Sequence, residues 1–89
     1  MKVKEGFRLR KLGREHIVMG EGLSQINFNK IISLNSSAAY LWEAIQSKEF
    51  SVDDLAQLLI DEYGIDRELA QKDSASIAQA WIDAGIVEG

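Results

Sequence analysis

The hydrophobic period of the chain changes once, at Asn35, and that change restricts the fold more than any other feature of the sequence. Before Asn35 apolar residues recur at every second position, as in a strand with one face in a core. After it they recur every three or four, as in an amphipathic helix. Strands followed by helices within 89 residues leave room for one small sheet packed on a few helices, an α+β arrangement. There is no cysteine, no proline and no apolar tract of ~18 residues, so disulfide scaffolds and membrane spans are excluded and one domain over 1–89 is expected. Lysines near the start, from Met1 to Phe7, have no apolar run behind them. No secretory signal is therefore expected, and the cytoplasm is the default location.

In the first third, Phe7, Leu9 and Lys11 alternate with Arg8, Arg10 and Leu12. Gly13-Arg14 is a two-residue break, and His16-Ile17-Val18-Met19 follows, which is the pattern of a hairpin. A second break at Gly20-Glu21-Gly22 precedes a run ending at Leu34. Residues 24–30 read equally as strand or turn, whereas Ile31 to Leu34 is strand under both readings. Asn35-Ser36-Ser37 supplies cap oxygens for a first helix over about Ser36 to Gln46. Ser51-Val52-Asp53-Asp54 resembles a capping box opening a second helix that ends near Tyr63-Gly64. Asp66 caps a third, roughly Arg67 to Ala84, which Gly85 stops. The predicted core sets Phe7, Leu9, Ile17, Met19, Ile32 and Leu34 of a three-stranded antiparallel sheet on Leu41, Trp42, Leu55, Leu59, Ile77 and Trp81 of the helices. The element order is that of a winged helix-turn-helix module whose wing comes first.

Chemistry-bearing constellations are few. His16 is the only histidine and sits on a strand, so with no cysteine neither a Cys-His pair nor a nitrogen- or sulfur-ligated metal site is expected. Asp53-Asp54 and Asp61-Glu62 are adjacent on helices, so their carboxylates diverge by about 100° rather than converge. Gly20 and Gly22 lack the motif of a phosphate loop. The expectation is a non-enzyme with no cofactor. The third helix carries apolar residues on two sides: Ile77, Trp81, Ala70 and Ala84 on one, Ala75 and Ile82 on the other, with Ala78 between. Either alanine serves there as a good helix former, or Ala75, Ala78 and Ile82 floor a groove in which small side chains let another backbone approach.

The net charge of −4 hides a split. Up to Leu34, Lys2, Lys4, Arg8, Arg10, Lys11, Arg14 and Lys30 outweigh Glu5, Glu15 and Glu21 by four. From Asn35 onward, Lys48, Arg67 and Lys72 face eleven carboxylates, an excess of eight negative charges. A polyanion would meet the first third and be repelled by the rest.

The run Leu34-Asn35-Ser36-Ser37-Ala38-Ala39-Tyr40-Leu41-Trp42-Glu43 resembles the opening of the first helix in the coenzyme PQQ synthesis protein D (PqqD) family. Ser51-Val52-Asp53-Asp54-Leu55 with Tyr63, then Asp73 and Ile77, then Gly85-Ile86-Val87, resemble its later segments in the same order. Ser47-Lys48 stands where the family usually has Asp-Gly, and Ser74 to Ala78 replace bulkier residues. What the resemblance implies is a recognition element for ribosomally made, post-translationally modified peptides. Such a winged-helix module binds a precursor's leader as an extra strand and presents it to a modifying enzyme, often a radical SAM maturase. Carried onto this chain, the leader would pair with Lys30, Ile31, Ile32, Ser33 and Leu34, next to the third strand, in the groove toward Ala75, Ala78 and Ile82. Arg8 and Arg10 would steer an acidic leader inward. The alternatives are a DNA-binding regulator, disfavoured because the helices that would enter the major groove are acidic, and a protein-docking adaptor. No membrane partner is expected, and a homodimer through the same edge would compete with the peptide.

Overall fold

The computed structural model describes residues 1–20 and 31–89. In order it contains β1 (Lys2–Val3), β2 (Phe7–Leu12), β3 (Glu15–Gly20), β4 (Ile31–Leu34), α1 (Ser36–Ile45), α2 (Val52–Tyr63), α3 (Arg67–Asp83) and β5 (Val87–Glu88). The strand expected third from the sequence is thus β4. Lys30 and the strand-or-turn question over 24–30 lie outside the described residues.

Each helix begins where a side chain can accept a free backbone N–H. The Asn35 side chain accepts from the Ala38 amide at 2.8 Å, and Asp66 accepts from Leu69 at 2.8 Å. At α2 the box is reciprocal: the Asp54 amide donates to Ser51 Oγ at 3.1 Å while the Ser51 amide donates to the Asp54 carboxylate at 2.9 Å. Gly64, with φ of +66°, closes α2. After α3 the Ile86 amide reaches back to the Trp81 carbonyl at 3.1 Å and the Gly85 amide to Ile82 at 3.0 Å. This double bond pattern needs a left-handed residue between helix and tail, and Gly85 supplies it with φ of +79°.

The main sheet is antiparallel in the order β2-β3-β4. Its register corrects two of the six predicted strand core residues, Ile17 and Met19. A two-residue turn at Gly13-Arg14 sets Leu12 opposite Glu15, so Leu9 pairs with Val18 and Phe7 with Gly20. Val18 in turn pairs with Ile32, and His16 with Leu34. Directly opposed residues share a face, so the core side of β3 is Val18, fully buried, and not Ile17 or Met19. Ile17 and Met19 lie on the other face beside Arg10, Arg8, Ser33 and Ile31. Ile17 is buried there, outside the helix-packed cluster.

Phe7, Leu9 and Ile32 pack on the core as expected. At its centre the Trp42 and Trp81 rings meet edge to face, centroids 5.3 Å apart at 87°, and Phe50 adds a second edge contact to Trp81 at 6.3 Å. Both indoles are buried, as are Leu41, Leu55 and Leu59. A second, unexpected sheet joins the ends of the described chain. Lys2 pairs with Glu88 and Val3 with Val87, extended by reciprocal bonds of 2.7 Å between Met1 and Phe50. No described helix is long and apolar enough to cross a membrane.

Candidate functional site: an open strand edge leading into an apolar cleft

A three-stranded sheet has two edges, and the composition of the two differs. β2 carries Arg8, Arg10 and Lys11 within six residues, the charge pattern that discourages pairing with another strand. β4 reads Ile-Ile-Ser-Leu, with neither charge nor proline. Among the described residues no strand pairs with its outer side. Its exposed members are Ile31, at 59% exposure, and Ser33, while Ile32 and Leu34 turn toward the helices. An extended peptide laid along this edge would find free N–H and C=O groups over about 13 Å, four residues at strand rise.

β4 ends at a cleft. Asn35, which follows Leu34 directly, lines it with Ser37, Leu59 and Tyr63 of α2, Ile65, and Asp73, Ser76 and Ile77 of α3; its volume is about 550 Å³. The cleft is bordered by α2 and α3, which a three-residue turn joins, and by the start of α1. Leu59, Ile65 and Ile77 give it an apolar floor, and serines, Asn35 and Asp73 a polar rim. At the rim Tyr63, 48% exposed, meets Tyr40 edge to face at 6.1 Å. Burial holds the Tyr40 hydroxyl above its ordinary pKa, and the carboxylates of Glu62 and Asp61 raise it further, so this end of the molecule is electronegative.

The third-helix residues predicted to floor a groove are distributed differently. Ala78 is 3% exposed and belongs to the core, and Ala75 is exposed. Ile82 is half-buried on the flank toward the C-terminal tail, its Cδ1 only 3.7 Å from where a Cβ on Gly89 would sit. None of the three lines the cleft beside β4. The reason is rotational. The buried stripe of α3 is Ala70, Ser74, Ala78 and Trp81, so its centre lies nearer Ser74 and Ala78 than Ile77. The two flanks are then Ala75 with Ile82 on one side and Asp73, Ser76 and Ile77 on the other, and the second faces the cleft. The sequence signal for that flank was Asp73 and Ile77 within the family-like segment.

Arg8 and Arg10 are also remote from the open edge. At about 4.8 Å per strand, β2 lies some 10 Å from β4 and about 14 Å from a strand added beyond it. His16 faces the helix side of the sheet between Lys11 and Leu34. Among the described residues no group of three or more His, Cys, Asp or Glu is arranged to hold a metal ion.

Three helices packed on a three-stranded antiparallel sheet, β2-β3-β4, define a small α+β unit in which no described strand pairs with the outer side of β4. More particularly, the chain belongs to the coenzyme PQQ synthesis protein D (PqqD) family, whose model matches residues 15–87. No curated protein matches it significantly in sequence. Two solved structures share its fold. One is described as TbiB1 in complex with the TbiA(beta) leader peptide, at a TM-score of 0.75 and 15% identity, covering 100% of this chain and 96% of that one. The other is lasso peptide synthetase B1 complexed with the leader peptide, at 0.72 and 18%, covering 99% and 96%.

Proposed function

We propose that this protein binds the leader segment of a ribosomally made precursor peptide by strand addition along β4 and presents it to a modifying enzyme, with a radical SAM maturase as the first candidate. The observation that carries the reading is the uncharged outer edge of β4 running directly into the apolar cleft at Asn35. Backbone pairing supplies affinity with little regard to sequence, and the cleft supplies selectivity at one end. Family membership and the two leader-bound fold relatives support it. Lys30, Ile31, Ile32, Ser33 and Leu34 remain the proposed pairing strand. On α3, Asp73, Ser76 and Ile77 take the place of Ala75, Ala78 and Ile82. A homodimer through β4 would occupy the same groups, so binding and dimerisation would be mutually exclusive.

The test is to place charge on the edge without touching the core. Ile31→Lys with Ser33→Lys should leave the melting temperature near wild type, because both side chains are exposed. It should weaken peptides selected from a displayed random library by roughly tenfold or more, as lysine does on natural edge strands. Unchanged affinity in a folded double variant would refute strand addition at β4.

A further inference from the structure

Resting on the leader-binding reading, we infer that the peptide segment entering the cleft carries an apolar side chain for the floor and, close to it, a lysine or arginine for Asp73. The apolar part follows from Leu59, Ile65 and Ile77, the aliphatic side chains among those lining the cleft that Asn35 borders at the end of β4. The cationic part follows from how the aspartates of this chain are used. There are six, and five accept a hydrogen bond within the fold. Asp54 and Asp66 cap helices. Asp53 accepts from the Gln71 amide at 3.3 Å, Asp61 from Gln57 at 2.8 Å and Asp83 from Gln79 at 2.9 Å. Among the described residues Asp73 accepts none, and it is the only charged one of those that line the cleft.

A carboxylate on the rim of an apolar cleft selects for sign. A cation brought there gains a charge-assisted hydrogen bond in surroundings less screened than open solvent, and an anion is repelled. Two further features act in the same direction. Glu62 and Asp61 make the neighbouring rim at Tyr40 electronegative. Tyr63, an aromatic ring 48% exposed on the same rim, is also of the kind that attracts an ammonium or guanidinium group.

The probe is a displayed library of random peptides long enough to span β4 and the cleft, selected in parallel on wild type, Asp73→Asn and Asp73→Lys. Asp73 is exposed, so all three should share one circular dichroism spectrum and melting temperature. Wild type should enrich Lys or Arg at a fixed spacing from an apolar residue. Asp73→Asn should keep the apolar position and lose the charge preference, and Asp73→Lys should enrich Asp or Glu at the same spacing. For one wild-type winner, changing its cation to glutamate should weaken binding about fivefold or more, and Asp73→Lys should restore it. Enrichment of peptides with no charge preference at that spacing, or a preference unmoved by both variants, would overturn the inference while leaving strand addition intact. Failure to enrich any peptide would overturn the leader-binding reading and the inference with it.

Discussion

Ser74 is the one polar side chain fully buried among the described residues, and its hydroxyl has no hydrogen-bond partner; the Trp42 Nε1–H is likewise buried and unpartnered. An orphaned buried hydroxyl costs about 1–3 kcal/mol, and alanine is also the better helix former, so Ser74→Ala should raise stability by about 1 kcal/mol or more in urea denaturation. Trp42→Ala has the opposite sign. It removes the ring against which Trp81 packs and should cost roughly 3–5 kcal/mol, enough to leave much of so small a domain unfolded at room temperature by the same assay. The two residues also differ in how far the sequence announces them. Trp42 and Trp81 fall on the apolar stripes their helices must hide, so their burial was legible. Serine at a helical position is close to neutral in propensity and carries no signal of its environment. Its burial was legible only through the family pattern, which has bulkier residues in that segment.

At the scale of elements, the helices were readable almost to the residue because five of their six ends are marked chemically: Asn35, Ser51 with Asp54, Gly64, Asp66 and Gly85 each do the job their side chain or lack of one allows. Of the strands, β2, β3 and β4 were readable in position, β2 and β4 also in facing, and β3 was not. The information was present: a two-residue turn at Gly13-Arg14 forces paired positions to sum to a constant, which puts Val18 opposite Leu9 and turns Ile17 to the face away from the helices. The apolar run 17–19 has no polar residue to break the tie, and β1 and β5 are too short to show any period. On α3 the same ambiguity, a weakly amphipathic helix rich in alanine, concealed which flank borders the cleft. Two stability measurements check this arrangement. Val18→Ala should cost about 2 kcal/mol and Met19→Ala about half of that or less, the reverse of what the predicted core requires. Gly13→Ala meets nothing within 4 Å, so its cost is conformational alone, about 1–2 kcal/mol for holding an L-residue at a φ of +63°.

For the whole molecule, the charge split becomes a polarity of shape: a basic hairpin at one end and two acidic helices at the other. Duplex DNA needs lysine or arginine where a recognition helix meets phosphate. α2 and α3 offer Arg67, which donates to Gln57 at 2.9 Å, and Lys72, against exposed Asp53, Asp54, Asp61, Glu62, Glu68, Asp73 and Asp83. Labelled duplex should therefore show no binding tighter than about 10⁻⁴ M near 150 mM salt, the weak end of the non-specific range. Micromolar binding under those conditions would favour a regulator over a peptide-binding protein. The same geometry revises what the basic hairpin can do for a peptide. An added strand on β4 lies about 14 Å from β2, beyond the screening length of about 8 Å at physiological ionic strength but well within the ~30 Å that applies at 0.01 M. Arg8→Glu with Arg10→Glu should thus slow association of an acidic peptide several-fold at low salt and by less than about twofold near 150 mM, with the dissociation rate unchanged in both. Stopped-flow association across a salt series separates the cases. A several-fold loss that persists at high salt, or a faster dissociation rate, would mean that Arg8 and Arg10 touch the peptide, and the bound strand would then have to lie on the β2 side of the sheet instead of along β4.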